Sequence, residues 1–162
     1  MTDSSYAGTA GNAAGTRRRH PVQTVAAVVG AVFLLVGILG FIPGITSNYD
    51  QMTFAGHYSD ALLLGVFQVS ILHNAVHILF GIAGLLAART FDAARGYLIV
   101  GGFIYLALFL YGLLIDESTS ANFVPVNNAD NWLHLVLGIG MVALGALLGR
   151  RPATVRSSSA TG

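Results

Sequence analysis

Four apolar runs, at about residues 22–42, 68–89, 96–115 and 131–149, leave this chain few ways to fold. A helix rises about 1.5 Å per residue, so each run spans roughly 30 Å, the thickness of a bilayer's hydrocarbon layer. No water reaches that layer to satisfy backbone N–H and C=O groups, and a helix satisfies them within a single segment. Only 9% of the 162 residues are charged, where soluble domains carry about a quarter, so a water-soluble body around four such runs is excluded. The expected fold is all-α, an integral membrane bundle of four transmembrane helices.

Charge placement orients the bundle. The eight positive residues, Arg17, Arg18, Arg19, Arg89, Arg95, Arg150, Arg151 and Arg156, fall in the two tails and the middle loop. Asp50, Asp60, Asp116, Glu117 and Asp130 fall in the other two loops. The excess of arginine on the cytoplasmic side then predicts a multi-pass protein of the cytoplasmic (inner) membrane with both termini cytoplasmic. Residues 1–20 and 152–162 read as disordered cytoplasmic tails, rich in Ser, Ala, Gly and Thr and without apolar period. The basic start before run one resembles a signal peptide, but the run exceeds the usual 7–15-residue core and no A-x-A site follows, so it is read as an anchor. Residues 60–67 read either as an interfacial lead-in helix or as an extension of helix two, with Ser59 as a possible cap. His57 reads as a solvated loop residue.

The second run, SILHNAVHILFGIAGLLAAR (residues 70–89), carries two histidines and an asparagine within five positions. At about 100° per residue, Asn74, His77, Gly81 and Gly84 share one stripe, with Ser70 and His73 beside it. The fourth run repeats the pattern with Asn131, His134, Gly138, Met141 and Gly145. Setting NAVHILFGIAG against NWLHLVLGIGM gives identities at an offset of 57, and VVGAV against IVGGF gives a fainter match of helices one and three at an offset of 71. Helices two and four run the same way, so this is a parallel repeat about an axis along the membrane normal. The expected polar cluster is His73, Asn74, His77, Asp130, Asn131 and His134, buried between helices two and four. Gly81, Gly84, Gly138, Gly145 and Gly149 are expected to let helices approach closely. Tyr105, near mid-depth, needs a partner for its hydroxyl.

HNAVHILFGIAGLLAAR together with ADNWLHLVLGIGM resembles a bacterial four-helix membrane family catalogued as domain of unknown function 4383. The resemblance covers about residues 22–150 and implies four membrane helices, no assigned activity and no catalytic residues.

The chemistry of the cluster admits two readings. Asn and His at helix contacts hydrogen-bond across the interface, worth about 0.6–2 kcal/mol each, and need no ligand. The leading reading is accordingly a small structural or accessory membrane component. The alternative is a cofactor-binding redox protein. His73 and His77, at i and i+4, with His134, form a candidate set for a divalent metal. His77 and His134 on facing helices suit a b-type haem, and the same imidazoles suit a quinone with Tyr105 as an aromatic wall. The absence of cysteine removes thiolate, disulfide and c-type haem chemistry. No nucleophile and base pair, phosphate loop or acidic dyad stands out, so the enzyme question leans to no. Expected partners are the lipid bilayer and a homo-oligomer or other membrane proteins. Nucleic acid is not among them, since three adjacent arginines are too few.

Overall fold

A computed structural model describes residues 19–150. Residues 1–18 and 151–162, which take in the tails read above as disordered apart from Arg19 and His20, lie outside the described residues, and with them Arg17, Arg18, Arg151 and Arg156. Four helices make up the body: α1 (Pro21–Leu39), α2 (Ile71–Ala87), α3 (Phe91–Leu114) and α4 (Asn128–Leu148). Three of these, α1, α3 and α4, are long and apolar enough to cross a membrane, and α2 is a shorter apolar helix of 17 residues. At 1.5 Å per residue α2 still covers about 26 Å, near the lower limit for a span. The protein is an all-α membrane bundle. Apolar side chains such as Leu79, Val100 and Val136 are exposed on its outer faces, where lipid meets them.

The helices associate as two pairs, α1 with α2 and α3 with α4. Small residues set each seam. A methyl group at Gly81 would lie 2.7 Å from the Gly30 carbonyl oxygen, and one at Gly102 would lie 2.8 Å from that of Gly138. These distances leave no room for a Cβ, so the backbones touch. The start of α1 meets the α2–α3 turn: Gln23 Nε2 donates to Ala88 O at 3.1 Å, and His20 lies edge-on to Phe91. Between the pairs, Phe33 of α1 stacks on Tyr105 of α3 with ring centroids 5.2 Å apart.

Residues 60–67 form neither of the helical structures expected of them. Three two-residue strands, β1 (Thr46–Ser47), β2 (Leu62–Leu63) and β3 (Phe67–Gln68), make a small antiparallel sheet in the order β1-β2-β3. Leu62 pairs with Ser47 and Gln68, and Leu63 with Thr46 and Phe67. Leu64 and Gly65 turn the hairpin at φ of +56° and +71°, a reversal that a helix cannot contain. Ser59 caps no helix; its hydroxyl donates to Val69 O and accepts from Thr53 N. Ala61, Leu63 and Val69 are buried under this sheet, against Val36 and Leu39 of α1. The hairpin shortens α2, whose N-cap is Ser70 rather than a residue near 67.

Candidate functional site

The site is built from two helix starts that mirror each other. Ser70 caps α2 by accepting from His73 N at 3.1 Å, and Asn127 caps α4 by accepting from Asp130 N at 3.0 Å. In each case the acceptor satisfies one of the orphan N–H groups of the first turn. The third residue of each helix then reaches into the other half. His73 Nδ1 meets Pro125 O at 3.1 Å, and Asp130 Oδ2 accepts from Gln68 N at 3.0 Å. Gln68 and Pro125 each stand two residues before their N-cap, 57 positions apart, like His73 and Asp130. The side chains differ because the backbone groups do. Proline has no N–H and offers only its carbonyl, which calls for the imidazole N–H, whereas Gln68 offers an N–H, which calls for a carboxylate. Asp130 Oδ2 also accepts from Asn127 N at 3.0 Å, and Asn127 Nδ2 donates to Val66 O at 2.8 Å. Both His73 and Asp130 are almost fully buried.

The two asparagines do not join that contact, contrary to the single cluster expected between helices two and four. Asn74 faces α1, where a Cβ on Gly40 would collide with its carboxamide, and its Nδ2 lies 3.9 Å from Met52 Sδ. Asn131 faces α3, where a Cβ on Gly112 would do the same, and its Nδ2 donates to Glu117 Oε1 at 3.4 Å. Each asparagine thus serves its own helix pair, and each keeps a buried Oδ1 without a partner among the described residues. The reason is angular: Asn74 lies one residue on from His73, about 100° around the helix, so the two side chains cannot face the same neighbour.

His77 and His134 do come together with His73. All three line two cavities, of about 290 and 280 Å³, one also lined by α2 and α3 residues such as Val76 and Leu108 and the other by α1 and α4 residues such as Val32 and Leu133, and both share Tyr105 as well. The rings form a chain: His73 to His77 at 4.6 Å, His77 to Phe33 at 5.6 Å, Phe33 to Tyr105, and Tyr105 to His134 at 5.2 Å. Nδ1 of both His77 and His134 is sealed without a hydrogen-bond partner among the described residues. Among the described residues no group of three or more His, Asp or Glu side chains is arranged to hold a metal ion. His73 has already committed Nδ1 to Pro125.

The glycines act at the seams. Gly81 and Gly84 lie against Gly30, with the Tyr97 ring also on Gly84, and Gly138 lies against Leu106 and Gly102. Gly145 meets Leu98 and Ile99 of α3, and Gly149 ends α4 beside the Arg95 side chain. These contacts fix the repeat's register. Gly30 corresponds to Gly102, Phe33 to Tyr105 and Gly40 to Gly112, an offset of 72 rather than the 71 read from VVGAV and IVGGF.

Outside the cluster, His57, expected as a solvated loop residue, is half-buried: its Nδ1 has no partner among the described residues, and its ring lies 3.9 Å from that of Tyr58. Asn122, not singled out by sequence, is fully buried and clamps its loop by donating to Glu117 O and Val126 O and accepting from Val126 N. Its nearest sequence signal is Pro125, which marks a tight loop without naming the side chain that closes it.

The model of the family described as a domain of unknown function, DUF4383, matches residues 23–147. The chain belongs to this family. Nothing among curated proteins or solved structures matches it. The DUF4383 match takes in all four helices to within two residues of each end of the bundle, together with the small sheet and the crossed contact at the helix starts. No activity accompanies the DUF4383 description.

Proposed function

We propose that this protein is a small structural or accessory component of the cytoplasmic membrane, with both termini cytoplasmic and no catalytic site of its own. The observation that carries the reading is the crossed pair of hydrogen bonds, His73 to Pro125 and Gln68 to Asp130. Polar side chains within membrane helices are functional candidates by default, and these two are spent on tying one helix pair to the other. Asn74 and Asn131 are likewise turned towards the glycines of their own seams. The arginines at the α2–α3 turn, Arg89 and Arg95, with Arg19 and Arg150 beside the helix ends, support the orientation.

Purified protein in detergent tests the reading through its absorption spectrum, metal content and unfolding midpoint. The expected sample has no Soret band and no stoichiometric metal, and His73→Phe lowers the midpoint. A Soret band or a stoichiometric metal that disappears in His77→Ala and His134→Ala overturns the reading in favour of a cofactor-binding protein.

A further inference from the structure

The histidines that the crossed contact leaves unused point to a ligand. We propose that His77 and His134 form the polar floor of a binding site for an isoprenoid quinone, held without electron transfer, whose ring lies against the Phe33–Tyr105 pair and whose tail leaves between α1 and α4. This goes beyond the structural role above and does not depend on it.

A neutral imidazole has one donor and one acceptor nitrogen. In His77 and His134 Nδ1 is sealed in the protein without a partner among the described residues, which leaves Nε2 as the nitrogen able to meet a molecule in the cavity. A buried N–H without an acceptor is costlier to keep than a bare lone pair, so the proton belongs on Nε2, and the two rings present donors to the cavity. The matching ligand carries a hydrogen-bond acceptor. It is flat, because the stacked Phe33 and Tyr105 rings both line the same cavity. It comes from the bilayer, because Val28, Val32 and Leu133 line that cavity and are also exposed on the outer surface of the bundle, at 57%, 51% and 37%. A volume of about 280 Å³ lies just below the range of small-molecule sites, roughly 300–1,000 Å³, and suits one substituted ring with its tail outside rather than a macrocycle. A carbonyl-bearing ring on a lipid tail meets all of these conditions.

The test is titration of the full chain, reconstituted in phosphatidylcholine nanodiscs, with decylubiquinone. The chain holds a single tryptophan, Trp132, two residues before His134, and quinones quench indole fluorescence. The expected result is quenching that saturates at one quinone per chain, with a midpoint raised at least tenfold by His134→Phe and by Val32→Phe. Val32→Phe narrows the mouth from the lipid side and leaves the histidines intact, so it carries the test even where His134→Phe fails to fold. Leu79→Phe, an exposed position outside both cavities, leaves the midpoint unchanged. Quenching that rises linearly with quinone in the bilayer and is the same in all four proteins reports partitioning alone and overturns the proposal. Saturation that neither His134→Phe nor Val32→Phe affects overturns it as well.

Discussion

One oxygen of Asp130 holds two backbone N–H groups, those of Gln68 and Asn127, at 3.0 Å each. Removing the carboxylate leaves both donors unpaired in a buried setting, at a cost of about 1–3 kcal/mol for each. Asp130→Ala is therefore expected to lower the unfolding midpoint in detergent strongly. Asp130→Asn, which keeps an acceptor oxygen, is expected to lose less than half as much. Equal losses would mean that the charge, rather than the accepted hydrogen bonds, holds the two halves. His73 and Asp130 were legible in the sequence as members of a repeated motif, because polar side chains inside an apolar run stand out. Their partners were not, since Pro125 and Gln68 contribute backbone groups that no side-chain pattern records. The direction of Asn74 and Asn131 was hidden for a related reason. A stripe on a helix tells which residues share a face, and only the neighbour's glycines, Gly40 and Gly112, tell which face meets which helix.

Glycine has opposite meanings at different points of these helices. At Gly81 a methyl group would press on the backbone of Gly30 and Leu34, which cannot swing aside as a side chain can. Gly81→Ala is expected to cost about 1–3 kcal/mol by overpacking. Gly96 and Gly140 have open space where a Cβ would stand. Alanine there removes the conformational penalty of glycine in a helix, so Gly96→Ala and Gly140→Ala are expected to stabilise by about 0.5–1 kcal/mol each. Unfolding midpoints of the three variants decide the matter by sign, and a stabilising Gly81→Ala would remove the close seam between α1 and α2. Helix existence was legible because apolar runs of this length have few alternatives. The ends were less so: α1 stops at Leu39, three residues short of the expected end, and α3 begins at Phe91, five residues early. Thr46 accounts for part of the first difference, since its hydroxyl donates to the carbonyls of Leu39 and Gly40 and closes the helix there. The hairpin at residues 62–68 escaped because strands of two residues are too short for alternation to register.

At the scale of the whole molecule, two helix pairs meet about a stacked ring pair and a crossed hydrogen-bond pair, each half contributing the same positions. The chain has no cysteine, so single introduced cysteines report sidedness directly. Tyr58→Cys, in the loop between α1 and α2 and 77% exposed, is expected to react in intact cells with a membrane-impermeant maleimide, and Arg89→Cys only after lysis. The reverse pattern would invert the bundle. The pairing also predicts how the chain tolerates being cut. Each pair buries its own glycine seam, α1 on α2 and α3 on α4, so a break between Arg89 and Thr90 leaves both seams whole. What the break removes is the tether, and the contacts left to reunite the halves include Phe33 on Tyr105, Phe80 on Tyr97, and the hydrogen bonds joining His73 to Pro125, Gln68 to Asp130 and Asn127 to Val66. Fragments 1–89 and 90–162, co-expressed with a tag on the first, are therefore expected to co-purify. Combining His73→Phe with Asp130→Ala is expected to reduce recovery of the second fragment severalfold, while Gly140→Ala leaves it unchanged. Because the crossed bonds lie between pairs and not within them, the doubly substituted fragments should each remain helical by circular dichroism as they separate. Recovery that ignores the double substitution would put the cohesion of the bundle in the ring contacts and the other hydrogen bonds between the halves.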